Sequence, residues 1–236
     1  MPLSSVTRLP AGLSLSPETG PLADMGIPWT FKYQTQLDDF FKFAAADWVV
    51  TGTGVPALVS PSNGGVLNIV NSAASGDETA AQFAGGNAAV RLNFLTAVAS
   101  ELFINARIAL DNPSLASALF GLTGVATAPI TTPPTNGIFF RRLFGANPWS
   151  CVIRNAGVET VVTSNAVPAN NEFRELGFAY TPQNGKATFF DNGAAFPFTL
   201  PVPIPVVNMA VNQSVRNGSA AARTFSLDWY MVNDQR

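Results

Sequence analysis

Residues 172–198, EFRELGFAYTPQNGKATFFDNGAAFPF, decide the fold. They contain two turn dipeptides, Asn184-Gly185 and Asn192-Gly193, set between short segments in which apolar and polar residues alternate. Asn-Gly tolerates the positive φ angles of tight hairpin turns, and alternation with period two gives each flanking strand one apolar face. In FRELGFAY (173–180), Leu176, Phe178 and Tyr180 share such a face. KATFFD (186–191) and AAFPF (194–198) follow as its hairpin partners.

The same pattern extends outward in both directions. LDDFFKF (37–43), DWVVTG (47–52), VLNIV (66–70), TAAQFA (79–84) and AVRLNF (89–94) are separated by Gly- and Asn-rich turns. ELFINARIAL (101–110) is the longest alternating run: Leu102, Ile104, Ala106, Ile108 and Leu110 face one way, Phe103, Asn105, Arg107 and Ala109 the other. A helix would spread those two sets around its circumference, so the run is a strand. ALFGLTG (118–124) and GIFFRRLFG (137–145) flank a Pro/Thr loop, with at most a helical turn near 114–118. WSCVIR (149–154) and VETVVTS (158–164) form a hairpin across Asn155-Ala156-Gly157. VVNMAVNQ (206–213) and TFSLDWYMV (224–232) close the chain, the latter read with Phe225, Leu227, Trp229 and Met231 inward and Ser226, Asp228 and Tyr230 opposite. Each sheet built this way has one apolar face to cover, so two packed antiparallel sheets are expected.

Composition fits one large domain of 236 residues with 47% apolar and 12% charged residues. The thirteen Lys and Arg are scattered and the net charge is −2, which excludes phosphate-backbone binding to nucleic acid. Histidine is absent, which removes the commonest general base and metal ligand. Cys151 stands alone and reads as a small buried apolar residue. Prolines interrupt the long uncharged runs, so no membrane helix is expected, and a soluble product of a cytoplasm is. Adjacent acids such as Asp38-Asp39 and Asp77-Glu78 point to opposite faces when extended, as do Glu172 and Glu175, so no strand carries a same-face carboxylate pair for glycoside hydrolysis. Gly76-Asp77-Glu78 and Asp191-Asn192-Gly193 offer a calcium ion one or two ligands each and read as turn chemistry. No cofactor, metal or catalytic residue is expected.

Residues 1–36 carry five prolines at irregular intervals and read as an extended arm ahead of a domain at 37–236. Leu13, Leu15, Ile27, Trp29, Phe31 and Tyr33 make this arm too apolar for a solvated tail, and they are the expected partner-binding residues.

The block FRELGFAYTPQNGKATFFDNGAAF and the closing RTFSLDWYMVNDQR resemble the concanavalin A-like (laminin G-like) jelly roll. With LDDFFKFAAADWVV, VLNIVN, SGDETAAQF and NGIFFRR they also resemble decoration or cement proteins of tailed-bacteriophage capsids, over roughly residues 37–236. The resemblance implies a non-enzymatic virion protein on the outer surface of the capsid, a homotrimer that bridges capsomers of the major capsid protein. The alternative is a carbohydrate-binding module of a phage fibre or surface lectin with a glycan as partner. Its sugar-stacking aromatics would be Trp29, Trp48 and Trp149, with Trp229 placed in the core.

Overall fold

The computed structural model describes residues 33–40, 42–59, 65–84, 94–95, 100–145, 147–183, 185–199 and 201–235. Strands are numbered in chain order. Sheet A runs β14 (Ala194–Pro197), β13 (Lys186–Asp191), β12 (Arg174–Thr181), β7 (Leu102–Leu110), β16 (Thr224–Gln235), β4 (Val66–Val70) and β3 (Val55–Val59), with β1 (Tyr33–Asp38) also paired to β16. Sheet B runs β11 (Val158–Thr163), β10 (Ser150–Asn155), β9 (Gly137–Arg142), β8 (Ala116–Thr123), β15 (Asn208–Asn217), β5 (Glu78–Phe83) and β2 (Trp48–Thr51), with β6 (Phe94–Leu95) also on β15. Among the described residues the one helical segment is a 3-10 turn, Ala45–Asp47, and none is long and apolar enough to cross a membrane. The expected two-sheet antiparallel sandwich is therefore the fold.

The turns follow their chemistry. Asn192 and Gly193 both have positive φ, 48° and 80°, and join β13 to β14 with Asp191 opposite Ala194. That is the two-residue hairpin turn whose twist matches the strands. Ala156 and Gly157, at 49° and 85°, do the same between β10 and β11. The expected turn at 114–118 is a turn over 113–115 that leads straight into β8.

The inner faces meet in one core. Leu102, Ile104, Ala106, Ile108 and Leu110 of β7 are all buried in it, as the alternation required. Leu176, Phe178 and Tyr180 of β12 join them. Aromatic rings bridge the two sheets: Phe120 of β8 lies 5.7 Å from Tyr230 of β16, and Phe140 of β9 lies 5.7 Å from Phe189 of β13. Each such fully buried side chain contributes roughly 2–3 kcal/mol of transfer free energy. Cys151 is fully buried here, and burial pushes its thiol pKa up, so it is a packing residue.

Three expectations change. The last strand does not keep one register: β16 shifts against β7 between Leu227 and Trp229, so Asp228 sits in a bulge. The extra residue reverses the alternation, turning Tyr230 and Val232 inward and Trp229 and Met231 outward. Residues 55–59, VPALV, form the edge strand β3 where only a Gly- and Asn-rich turn was expected between 47–52 and 66–70. Proline is tolerated there because its missing N–H belongs at an edge. Finally, β1 crosses the 36/37 division drawn from composition, because Tyr33–Asp38 pairs with Gln235–Tyr230. Leu13, Leu15, Ile27, Trp29 and Phe31, like residues 89–93 of an expected strand, lie outside the described residues, and the backbone of Tyr33 opens β1.

Candidate binding face

The outer face of sheet B is closed over by the chain itself. The Pro/Thr loop after β8 folds back across it, and Ile130 packs on Leu119, Phe139 and Val152 in a second small core. Glu78 fastens that loop. Its carboxylate accepts from the amides of Ile130 (2.8 Å) and Thr131 (2.9 Å), and from the hydroxyls of Thr131 and Ser214. Gln82 and Asn212 donate to the carbonyls of Gly124 and Ala126 beneath it. The loop covers the middle of this face, while the outer positions of β11, among them Val161, stay exposed.

Sheet A presents a different surface. Strand register lines up Glu175 of β12 with Arg107 of β7 and Trp229 of β16, and in the next outward row Phe190 of β13, Gly177, Asn105 and Met231. Gly177 has no side chain to fill its place. A Cβ there would lie 3.3 Å from the Phe190 Cβ and 3.6 Å from its Cδ2, so the half-buried Phe190 ring leans across the glycine. Asn105 stands on the other side and donates from Nδ2 to Glu175 Oε1 at 3.2 Å. Arg107 completes the cluster, ion-paired to Asp228 in the bulge, with its guanidinium carbon 4.7 Å from the centroid of the Phe173 ring. The Arg107 side chain is 44% exposed and that of Asp228 only 2%, so Asp228 anchors the guanidinium from below. The result is a polar and aromatic patch on the sheet: a ring laid over a glycine, beside an amide, a carboxylate and a guanidinium.

The aromatic residues expected to stack on sugars do not serve. Trp48 and Trp149 are 6% and 1% exposed and belong to the core. The reason is alternation, since Trp48 opens a strand with an inward first position and Trp149 sits just ahead of Cys151 and Ile153 on the inner face. Trp229 lies on the outer side after the bulge yet stays buried, and Trp29 is outside the described residues.

The acidic residues are sorted by the fold as well. Asp77 accepts from the Thr53 hydroxyl and from the backbone and hydroxyl of Ser72 (3.0 and 2.8 Å). Partial desolvation raises its pKa, the hydrogen bonds together lower it by more, and the net shift is downward. Asp191, read from sequence as a turn residue, ends β13 and is 3% exposed and ion-paired to Arg174 at 2.7 Å. Glu172 holds the other side of the same guanidinium at 2.8 Å. Among the described residues no three His, Cys, Asp or Glu side chains are grouped to hold a metal ion. Glu175 and Asp228 do share a face, two strand spacings or ~10 Å apart between strand axes, with Arg107 between them. No single strand revealed that juxtaposition. The signals that could have found the patch were Gly177 inside a strand pattern and the outward Asn105 and Arg107.

No family model matches the chain, and no curated protein does. Solved structures of the same fold exist, and the fold they share with this chain is a concanavalin A-like jelly roll. Lectin UEA-II complexed with galactose matches with a TM-score of 0.58 at 11% identity, over 86% of this chain and 99% of the lectin. The carbohydrate recognition domain of Emp47p matches with a TM-score of 0.58 at 9% identity, over 86% and 96%. A glycosidic hydrolase matches with a TM-score of 0.54 at 14% identity, over 84% and 95%. At these identities the likeness is one of fold.

Proposed function

We propose that this chain is a non-enzymatic carbohydrate-binding module whose glycan lies on the outer face of sheet A, against Phe190. The observation that carries the reading is the Phe190 ring laid across Gly177 beside the Asn105–Glu175 pair. A pyranose has an apolar C–H face and a rim of hydroxyls. An aromatic ring takes the first, and an amide, carboxylate and guanidinium at the edge take the second. The lectin-type neighbours support the same choice. Hydrolysis needs two carboxylates that reach the glycosidic bond, whereas Asp228 is buried under Arg107 and leaves Glu175 alone at the rim. A glycan array with purified protein tests the reading: binding that Phe190→Ala weakens supports it, and an array without a single hit removes it.

A virion role, with this chain decorating a phage capsid as a homotrimer on the major capsid protein, is the second reading. It draws on the outer face of β3 and β4, where Val55 (73% exposed), Val59 and Val70 form an apolar surface away from Phe190. Mass spectrometry of purified virions decides it, since a decoration protein must be present in stoichiometric amount.

A further inference from the structure

We infer that the core of the sandwich encloses a water-binding site, at which ordered water joins the amide of Gln213 to the phenol of Tyr230. Strand β15 alternates along its length. Met209, Val211 and Val215 face the core, while Asn212 and Ser214 point outward to Ala126 and Glu78. Gln213 shares the inward parity, so it sets an amide into an otherwise apolar row, and it is fully buried. Neither its Oε1 nor its Nε2 has a hydrogen-bond partner, and among the described residues it is the one buried amide with both ends unpaired. A side-chain amide brings two donors and two acceptor lone pairs. Left dry in a core it is strongly destabilising, and buried amides are accordingly bonded to protein or to water.

The facing sheet supplies the other end. Phe120 is the register partner of Gln213 on β8, and its ring lies 5.7 Å from that of Tyr230 on β16. Gln213 and Tyr230 therefore border one ring from opposite sheets. The Tyr230 phenol accepts from Gln36 Nε2 at 2.6 Å, which leaves its own O–H to donate. Gln36 Oε1 is also buried without a partner. A buried water makes about three hydrogen bonds, and these side chains offer it both donors and acceptors. Ala81, the partner of Gln213 on β5, ends at its Cβ, so the longer amide reaches past it on that side. Gln36 is only half-buried, so β1 gives water a way in from solvent. An apolar guest would leave each of these groups unmet, which fixes the occupant as water. The site lies within the core and stands whether or not the outer face of sheet A takes a glycan.

Two measurements on the full chain test the site. A high-resolution crystal structure is expected to show water within hydrogen-bond distance of the Gln213 amide, linked directly or through a second water to the Tyr230 oxygen. In solution, nuclear magnetic resonance reads the side-chain amide protons of Gln213, assigned through bonds. They are expected to show cross-peaks at the water frequency, with the sign of a water held for longer than the protein takes to tumble. Tyr230→Phe keeps the ring against Phe120 and Phe40 and removes only the hydroxyl, so those cross-peaks are expected to be lost in a folded variant. A Gln213 amide bonded directly to protein, or one with no water against it, overturns the inference. So do cross-peaks that a folded Tyr230→Phe protein retains in full. Where that variant does not fold, the wild-type crystal structure decides.

Discussion

Arg142 is the residue whose replacement tests most sharply how the sandwich is held at one end. It is 1% exposed, faces no carboxylate among the described residues, and spends its guanidinium on main-chain carbonyls instead. Nη1 donates to the carbonyls of Pro113, Ala116 (3.2 Å) and Leu143 (3.4 Å), and Nη2 to that of Gly145 at 2.8 Å. These bonds tie the turn before β8 to the chain leaving β9. Burial lowers its pKa to about 10, so it remains charged at pH 7. Arg142→Met keeps the apolar stem and removes every donor. The bonds to Pro113 and Ala116 are buried, and an orphaned buried acceptor costs about 1–3 kcal/mol, roughly 2–6 kcal/mol for the two. Taken from the middle of that range, relief of the guanidinium's own desolvation returns about 1–2 kcal/mol, leaving a net loss of about 2–3 kcal/mol. Urea unfolding measures it, followed by the fluorescence of Trp48, Trp149 and Trp229, all buried in the fold. At this chain length the same loss lowers Tm by about 4–12 °C. A variant within 0.5 kcal/mol of wild type, or more stable, would refute the reasoning, because desolvation would then outweigh the carbonyl bonds.

Two further outcomes follow from the same geometry. Glu78→Ala removes the carboxylate that fastens the loop over sheet B, so the amides of Ile130 and Thr131 are expected to exchange hydrogen at least 100-fold faster while core strands keep their protection, as hydrogen–deuterium exchange would show. Acid should destabilise the fold only at low pH. Asp77, Glu159 and Glu172 have pKa values held below their ordinary 3.8, 4.5 and 4.5 by hydrogen bonds and, for the two glutamates, by arginines, against some desolvation. Their stabilisation is complete above those ordinary values and is lost as pH falls through the lowered ones, so urea midpoints should be level from pH 8 to about 5.5 and drop below about 4.5. Asp38 works the other way, because burial raises its pKa and protonation relieves it as pH falls. A midpoint that declines steadily from pH 8 would contradict this assignment.

Much of the architecture was legible from residues alone, and the misses have physical causes. The β7 alternation and the Asn-Gly hairpin identify strands because period two and positive-φ turns are local properties. The bulge at Asp228 is not local. Phe225, Leu227, Trp229 and Met231 alternate without a break, and the adjacent Trp229-Tyr230 pair lets either ring take the core side. Only pairing with β7 decides, and it chooses Tyr230, which meets Phe120 and Phe40. Strand β3 was hidden by Pro56, a residue that argues against a central strand and not against an edge one. The patch around Phe190 was the hardest to see. Asn105 and Glu175 are seventy positions apart, so their contact exists only through the register of β12 on β7. The tryptophans drew attention because they are large, yet a large aromatic side chain is more readily taken into a core than left on a face.

The central claim is that this sandwich works through the face around Phe190. Titration of the best array glycan against wild type and Phe190→Ala by calorimetry tests it most directly, with urea midpoints measured on both. Loss of the ring is expected to weaken binding about tenfold or more, equivalent to about 1.4 kcal/mol, while the variant stays folded. Unchanged affinity in a folded Phe190→Ala protein would contradict the claim and move the glycan to another surface.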